Sequence, residues 1–191
     1  MAASHARAFH RACSAGAKVS VVLVLGGSRS GKSRFAEGLV HQPAHYVATA
    51  QAFDDEMQER IGAHKVQRSA QWVTHEEPIN ILAKLQEIDQ PGHFILVDCL
   101  TLWLSNLLLA DMDCDAAIKK LVMHLDNAKA RIVIVSNEVG LGIVPDNALA
   151  RRFRDVQGLA NQRVAEVALN VVFLAAGLPL ILKGPLPTAQ L

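Results

Sequence analysis

A glycine-rich segment directly after an apolar run has the residue types and spacing best suited to chemistry. It reads Gly-Gly-Ser-Arg-Ser-Gly-Lys-Ser over residues 26–33 and follows Val19–Leu25. The pattern G-x-x-x-x-G-K-[ST] between a strand and a helix is typical of loops that bind nucleotide phosphates. Its glycines allow a tight turn, so that consecutive N–H groups and the next helix N-terminus face the phosphate oxygens. We therefore expect nucleoside triphosphate binding by Gly26, Gly27, Ser28, Arg29, Ser30, Gly31, Lys32 and Ser33.

Side chains in and near this loop have the chemistry for phosphoryl transfer. Lys32 supplies a positive charge for the outer phosphates, and the Ser33 hydroxyl suits a Mg²⁺ ion between them. Asp98 follows four apolar residues at a predicted strand end, from which an acid reaches that ion. It also suits an N-cap for the next helix, and the pattern favours neither role. Glu138, after the neighbouring predicted strand, is expected to share the metal or to orient a hydroxyl.

One histidine lies on a partly apolar helix face with cations beside it. The segment Asp54–Ser69 predicts a helix on which His64 shares a face with Ile61 and Arg68, next to Lys65. A neutral imidazole in that position can attack a phosphorus atom whose charge the cations offset. The sequence contains eight histidines, however, and an ordinary surface histidine is the favoured interpretation from this pattern alone.

An arginine cluster and two tryptophans each have a functional and a structural interpretation. Arg151, Arg152 and Arg154 could hold a phosphorylated substrate, but a solvated face with local ion pairs is favoured. Trp72 and Trp103 offer rings on which a flat ligand could stack, with core packing as the default interpretation.

The composition favours small-molecule chemistry in one largely buried domain. Of 191 residues, 51% are hydrophobic and 19% charged, as expected for buried parallel strands. The net charge is +1, with 19 basic and 18 acidic residues, so no overall field attracts DNA, RNA or a membrane surface. Three cysteines without metal-ligand spacing indicate reduced thiols and a cytoplasmic location.

Two segments have a composition that resembles targeting or membrane sequences. Residues 1–18 carry basic side chains and no acid, and we expect them to form a mobile N-terminal extension without function. Val164–Leu182 is almost entirely apolar, but Glu166, Asn170 and a Gly-Leu-Pro turn interrupt it. A helix end, two strands and a turn explain this segment better than a membrane span, so we expect none.

Short apolar runs alternate with longer helical stretches along the chain. The predicted strands are Val19–Leu25, Tyr46–Ala48, Phe94–Val97, Ile132–Val135, Val171–Ala175 and Leu180–Leu182. The predicted helices are Lys32–Val40, Asp54–Ser69, Ile79–Ile88, Leu100–Ala110, Ala116–Ala128 and Ala148–Leu169. This alternation predicts one doubly wound α/β domain over residues 19–191, with a mainly parallel sheet and helices on both faces, of the P-loop NTPase (RecA-like) type. Ligands of such sheets bind beyond the carboxyl ends of the strands, where Lys32, Asp98 and Glu138 are expected to lie.

Several segments together resemble one family. The phosphate loop is combined with Arg60-Ile-Gly-Ala-His at 60–64, Val97-Asp-Cys-Leu-Thr at 97–101 and Asn137-Glu-Val-Gly-Leu-Gly-Ile-Val-Pro at 137–145. This combination is similar to that of the bifunctional adenosylcobinamide kinase/adenosylcobinamide-phosphate guanylyltransferases of cobalamin biosynthesis. The resemblance covers residues 21 to about 183.

The resemblance implies two reactions at one nucleotide loop. ATP or GTP phosphorylates the aminopropanol arm of adenosylcobinamide, and GTP then donates GMP to that phosphate with release of pyrophosphate. The family's histidine that carries GMP as a phosphoramidate corresponds to His64, and the expected Mg²⁺ ion would be held by Ser33 and Asp98. The family's guanine-nucleotide contacts beyond the phosphate loop correspond to Ala48, Thr49, Ala50, Lys65, Val66, Gln67, Arg68, Glu76 and Asp98.

The expected partners are therefore small molecules, without nucleic acid or a membrane span, and the resemblance also implies a homo-oligomer, with a trimer as one candidate. Two other functions stay open. A monofunctional small-molecule kinase with a structural His64 would form no covalent GMP adduct. A nucleotide-gated binding or assembly protein would hydrolyse GTP without any dependence on cobinamide.

Overall fold

The computed structural model describes residues 21–40, 43–51 and 72–187. The phosphate loop, Ala48–Ala50, Glu76 and Asp98 lie within these ranges. The predicted extension 1–18 and the predicted helix Asp54–Ser69, with His64 and residues 65–68, lie outside the described residues.

A seven-stranded, mostly parallel sheet forms the centre of the described chain. Its strands are β1 Val21–Gly26, β2 Ala44–Ala48, β3 Trp72–Glu76, β4 Phe94–Asp98, β5 Arg131–Asn137, β6 Asn170–Ala175 and β7 Leu178–Lys183. Their order across the sheet is β3-β2-β4-β5-β1-β6-β7, and only the β6–β7 pair is antiparallel. The central strands β1 and β5 are runs of Val, Ile and Leu because both of their faces are covered. β5 separates β1, which leads into the phosphate loop, from β4, which ends at Asp98.

Helices cover both faces of this sheet, which confirms the predicted doubly wound α/β architecture. The helices of the described chain are α1 Lys32–Glu37, α2 Ile81–Ile88, α3 Leu100–Leu109, α4 Cys114–Asp126 and α5 Ala148–Val167. On one face, Ala36 of α1 shares a buried apolar cluster with Val24 of β1. On the other face, α2 to α5 pack over alternate strand residues such as Leu23 and Ile134. The alternation of inward and outward side chains along each strand thus builds two separate core layers.

The strand β3 is absent from the sequence-based prediction. Trp72 and His75 are half-buried, and Val73, Thr74 and Glu76 are exposed, so the segment has no apolar run. Backbone pairing to β2 holds it at the edge of the sheet, with Trp72 beside Ala44. An edge strand covered on one side lacks the hydrophobic signal by which buried strands are recognised.

The strand β7 is longer than predicted because its turn is tighter. Ala176 and Gly177 have φ angles of 52° and 79°, which is the left-handed pair of a two-residue hairpin turn. Pro179, which was expected to lie in the turn, falls within the strand. Proline has no backbone N–H to donate. It is tolerated in β7 because this strand lies at the edge of the described sheet, with a neighbouring strand on one side only.

Helix ends differ from the prediction where a cap decides them. α1 ends at Glu37, with Gly38 as C-cap, and the apolar Leu39 and Val40 reach the core from the following turn. α4 begins at Cys114, since the Asp113 side chain accepts a hydrogen bond from Ala116 N at 3.0 Å. The apolar stretch 164–182 forms a helix end, a strand, a turn and a second strand, as predicted. Of the helices in the described chain, none combines the length and apolar character that crossing a membrane requires.

A pair of histidines at the β2–β3 edge is expected to make the free energy of unfolding sensitive to acid. Nδ1 of His45 lies 3.0 Å from Nε2 of His75, a hydrogen bond that needs at least one neutral ring. Burial lowers the pKa of His45, helped by His75 and His93, with Glu87 acting in the opposite direction. Burial also lowers the pKa of His75, helped by Lys84 and opposed by Glu87.

Because these pKa values are lower in the folded state, the unfolded chain takes up protons first as the pH falls. We expect the free energy of unfolding to be highest above about pH 6.5 and to decrease below it. Urea denaturation at pH 7.5 and 5.5 measures this decrease, which should be smaller in a His75→Gln variant. An equal decrease in the variant would contradict the assignment.

Candidate active site

The carboxyl ends of the parallel strands bring the predicted site residues within the described chain to one edge of the sheet. In the strand register, Ala48 lies beside both Glu76 and Asp98. Gly26, where the phosphate loop begins, lies beside Asn137. Glu76 ends β3 and is exposed at this edge. Ligands of open parallel sheets bind at such an edge, so the fold assembles these residues where a nucleotide is expected.

Two glycines allow the tight path of the phosphate loop. Gly26 has φ 152° and Gly31 has φ 93°, and side chains rarely adopt either conformation. A Cβ on Gly26 would also lie 2.5 Å from the Leu174 carbonyl oxygen, so β6 leaves no room for a side chain. Gly31 is the N-cap residue of α1, and its carbonyl accepts from Phe35 N at 3.0 Å. The loop therefore has the backbone geometry that a phosphate cradle requires.

Lys32, the first residue of α1, is buried within the loop. Its Nζ donates to the Gly27 carbonyl oxygen at 2.5 Å. Burial lowers the pKa of Lys32, while the nearby Cys99 and Asp98 act in the opposite direction. The ammonium group thus lies against a backbone acceptor, and the oxygens of a phosphate would be stronger, charge-assisted partners.

A second side chain in the loop, Ser30, is buried without a hydrogen-bond partner among the described residues. A buried hydroxyl left without a partner costs about 1–3 kcal/mol, which a phosphate oxygen would remove. Ser28 and Arg29 are exposed beside it, and Arg29 has a left-handed φ of 54°. These features fit a bound phosphate group better than a purely structural turn.

The Asp98 side chain accepts a hydrogen bond from a tyrosine and does not cap the helix that follows it. The Tyr46 hydroxyl donates to Asp98 Oδ2 at 2.7 Å, from β2 to β4. The N-cap of α3 is Cys99, and no side-chain capping bond is present there, so Asp98 does not take the capping role that the sequence left open beside the metal role. Sequence reasoning missed Tyr46 in this role, because the contact depends on β2 and β4 being neighbours.

Thr49 holds the exits of β2 and β4 together. Its hydroxyl donates to the Cys99 carbonyl at 2.7 Å and accepts from Cys99 N at 2.8 Å. The Thr49 carbonyl accepts from Asn106 Nδ2 at 2.8 Å. Burial raises the pKa of Cys99 to about 12, so this thiol is a packing group. Thr49 is therefore engaged within the protein, and nucleotide contacts by Ala48 and Ala50 stay predictions.

Ser33 and Asp98 form a donor set that suits Mg²⁺. A hydroxyl and a carboxylate are the oxygen ligands this ion takes in phosphate-loop sites, where waters and phosphates complete its shell. Ser33 follows Lys32 in the first turn of α1, and Asp98 is close enough to Lys32 to act on its pKa. Three-ligand clusters of His, Cys, Asp or Glu are absent from the described chain.

The segment after β5 begins beside the phosphate loop. Glu138 N donates to the Gly26 carbonyl at 3.1 Å, which joins the ends of β1 and β5. The Glu138 carboxylate accepts from Gly140 N at 2.6 Å and so turns toward its own loop. A role in sharing the metal or orienting a hydroxyl stays a prediction.

A buried polar network that sequence reasoning missed fixes α5 against this strand end. Gln157 Nε2 donates to Ser136 Oγ at 2.8 Å, and Ser136 Oγ donates to Asn161 Oδ1 at 2.7 Å. Asn161 Nδ2 donates to the Asn137 carbonyl at 3.1 Å. Two amides four residues apart on the buried stripe of a helix were the signal for such a network.

The arginine cluster does not converge on one site. Arg151 Nη1 donates to the carbonyls of residues 145 and 146, at 3.0 and 2.6 Å, and so fixes the preceding loop. Arg152 is exposed, and Arg154 Nε lies 3.7 Å from Asp155 Oδ1. This arrangement supports the solvated face with local ion pairs that the sequence favoured.

The tryptophans pack against protein rather than presenting open rings. Trp103 is buried, and its Nε1 donates to the Ile79 carbonyl at 2.8 Å. Trp72 meets Tyr46 edge-on, with ring centroids 5.5 Å apart. Core packing, the default interpretation, therefore describes Trp103, and Trp72 supports the tyrosine that holds Asp98.

Replacing Tyr46 with phenylalanine tests its positioning role. Removing the hydroxyl leaves Asp98 without this donor, and we expect the Mg²⁺ concentration for half-maximal activity to rise about 10-fold. Titration of activity with Mg²⁺, beside thermal unfolding of both proteins, separates positioning from stability. An unchanged Mg²⁺ requirement would show that the hydroxyl serves packing only.

Known proteins resemble this chain over most of its length. A family model described as cobinamide kinase / cobinamide phosphate guanyltransferase matches residues 22–182. The bifunctional adenosylcobalamin biosynthesis protein CobP of Pseudomonas aeruginosa is 48% identical, covering 85% of this chain and 96% of its own. The proteins CobU of Salmonella typhimurium and Escherichia coli, named in the same way, are 38% and 37% identical, each covering 85% of this chain and 99% of its own. With the phosphate loop, Lys32 and Asp98 assembled at one sheet edge, this chain belongs to the cobinamide kinase / cobinamide phosphate guanyltransferase family.

Proposed function

We propose that this chain is a bifunctional enzyme of cobalamin biosynthesis. It phosphorylates adenosylcobinamide with ATP or GTP, and it then transfers GMP from GTP to that phosphate, giving adenosylcobinamide-GDP and pyrophosphate. The observation that carries the proposal is a phosphate loop with a buried Lys32 facing the same sheet edge as Asp98, in a chain of this family.

In the kinase reaction the loop positions the triphosphate for attack by the substrate hydroxyl. The hydroxyl oxygen forms a bond to the γ-phosphorus, and the bond from that phosphorus to the β-phosphate oxygen breaks. Lys32 and the loop amides stabilise the charge that moves onto the leaving diphosphate. Asp98, turned by Tyr46, or Glu138 would orient the hydroxyl and accept its proton. Mg²⁺, held by Ser33 and Asp98, would offset the phosphate charge.

In the transferase reaction His64 acts as the nucleophile. Its neutral imidazole nitrogen forms a bond to the α-phosphorus of GTP, and the bond to pyrophosphate breaks. An oxygen of adenosylcobinamide phosphate then attacks the same phosphorus and displaces His64. Lys65 and Arg68 follow in the predicted helix and would balance the charge of the phosphoramidate. The same phosphate loop would thus bind the transferred γ-phosphate in the kinase reaction and the departing pyrophosphate in the transferase reaction.

A homo-oligomer, with a trimer as the first candidate, is part of this proposal. The edge strand β7 offers an apolar contact surface, since Leu178, Leu180 and Leu182 are all exposed. Contiguous exposed apolar side chains on an edge strand are typical of surfaces that pair with another chain. Light scattering after size-exclusion chromatography measures the state, and a monomer at micromolar concentration would contradict it.

The function is tested with GTP labelled in the α-phosphate. Incubation with Mg²⁺ should attach label to the protein as an adduct that acid cleaves and alkali spares, as expected for a phosphoramidate. Addition of adenosylcobinamide phosphate should transfer the label to the corrinoid. An enzyme that phosphorylates adenosylcobinamide without taking up label would be the monofunctional kinase. GTP hydrolysis that is independent of any corrinoid would instead indicate the nucleotide-gated protein.

A further inference from the structure

A groove lies between α5 and the loop that follows β5. Its volume is about 470 Å³, and its walls include Gly140, Gly142, Val144, Arg154, Gly158 and Gln162. We propose that this groove and the apolar loop beside it bind the corrin macrocycle of the acceptor. The inference rests on the proposed function, because it names the surface that holds the second substrate of the same site.

Hydrogen bonds join both walls of the groove to the strand ends near the phosphate loop. Glu138, at the start of the groove loop, donates its N–H to the Gly26 carbonyl. Asn161, beside the lining residue Gln162 on α5, donates to the Asn137 carbonyl at the end of β5. The groove thus adjoins the carboxyl end of β5, beside the start of the phosphate loop, and transfer would require one arm of the bound acceptor to extend toward that loop.

The loop presents an unusual amount of apolar surface to solvent. Leu141 is 82% exposed, Ile143 is 97% exposed and Val144 is 61% exposed, within four consecutive residues. Single exposed apolar side chains are common, but a contiguous set beside a cavity indicates a binding surface. A corrin is a broad, largely apolar macrocycle, so its face would cover these side chains and remove them from water.

Two glycines line the groove at positions where neither packing nor the backbone conformation requires a glycine. A Cβ built on Gly142 or Gly158 would meet no atom within 4 Å, and neither residue has a left-handed φ. Gly158 lies inside α5, where glycine is less favourable than alanine. Since neither packing nor backbone conformation explains these glycines, we infer that they leave room for a ligand lying against the helix.

Polar groups at the groove match the rim of a corrinoid. Arg154 is half-buried. Its Nε lies 3.7 Å from Oδ1 of the exposed Asp155. Gln162 is exposed on the same helix. The amide arms of a corrin both donate and accept hydrogen bonds. The Asp155 carboxylate can accept from them, the Arg154 guanidinium can donate to them, and the Gln162 amide can do both.

Equilibrium dialysis with adenosylcobinamide tests the surface without any reaction. In a Leu141→Ser/Ile143→Ser variant we expect the Kd to rise about 10-fold or more, because apolar area is no longer buried. In Gly158→Ala we expect weaker binding together with a midpoint of thermal unfolding raised by about 2–4 °C. Met123→Ser on α4, which removes a side chain that is 70% exposed outside the groove, should leave the Kd unchanged.

Labelling with GTP separates this inference from the function on which it rests. The groove variants should form the GMP adduct as the wild type does, since they leave the nucleotide site intact. A wild type that takes up no label would overturn the proposed function. Dialysis would still show whether the groove binds adenosylcobinamide. Unchanged binding in both groove variants would overturn the inference. So would a change of oligomeric state in the serine variant without a change in Kd, which would assign the loop to a contact between copies.

Discussion

Replacing His64 with alanine is expected to reduce GMP transfer by about 10⁴-fold or more, while phosphorylation of adenosylcobinamide stays within about threefold. In the proposed mechanism a nitrogen of the His64 imidazole forms the covalent bond to GMP, so its loss would remove the transferase pathway rather than weaken it. The kinase reaction, as proposed, uses direct attack of a hydroxyl on the γ-phosphorus and needs no enzyme nucleophile. Both activities are measured from one preparation by separating the corrinoid products.

The matched control for this experiment is His93→Ala. His93 directly precedes β4, at the amino end of the strands, whereas the site lies at their carboxyl ends. We expect this variant to keep both activities and the covalent label. Equal loss of both activities in His64→Ala would indicate a structural role for His64. Label that persists in His64→Ala would assign the intermediate to another residue.

Replacing Lys32 with methionine is expected to reduce kcat/KM of both reactions by about 10²–10³-fold. In the proposed mechanism the Lys32 charge stabilises the leaving diphosphate in the kinase reaction and the leaving pyrophosphate in the transferase reaction. Methionine keeps most of the buried stem, so the fold should be retained. The two activities and the affinity for GTP should be measured on the same protein, with circular dichroism as the check on folding.

Arg34→Met serves as the control, because Arg34 is exposed on the same helix and its charge lies outside the loop. It should leave both rates within about threefold, since exposed charges contribute little. If Lys32→Met removed one activity and left the other intact, the two reactions would not share the phosphate loop. That result would contradict the one-loop mechanism directly.

The sequence predicted those parts of the site that local chemistry specifies. A phosphate loop depends on glycines, a lysine and a hydroxyl in consecutive positions, and these are visible without any tertiary contact. The buried strands β1, β4 and β5 were equally visible, because a strand covered on both faces must be apolar along its whole length. Asp98 could be placed at the site edge for the same reason.

Other features depend on which segments become neighbours. Tyr46 reaches Asp98 only because β2 pairs with β4, and β3 exists only because β2 offers it backbone partners. Neither contact leaves a periodic signal in the chain, since side chains from different elements meet through the order of the strands. The sequence shows that the groove residues are glycines, but it does not show the open space beside Gly158.

The amino-acid sequence thus specifies the phosphate loop, the layered α/β class and the family, because residue type, spacing and hydrophobic periodicity are properties of a single chain. The orientation of Asp98, the sheet order and the groove beside α5 arise only in the folded protein. They depend on distances between residues far apart in sequence, and long-range packing sets those distances.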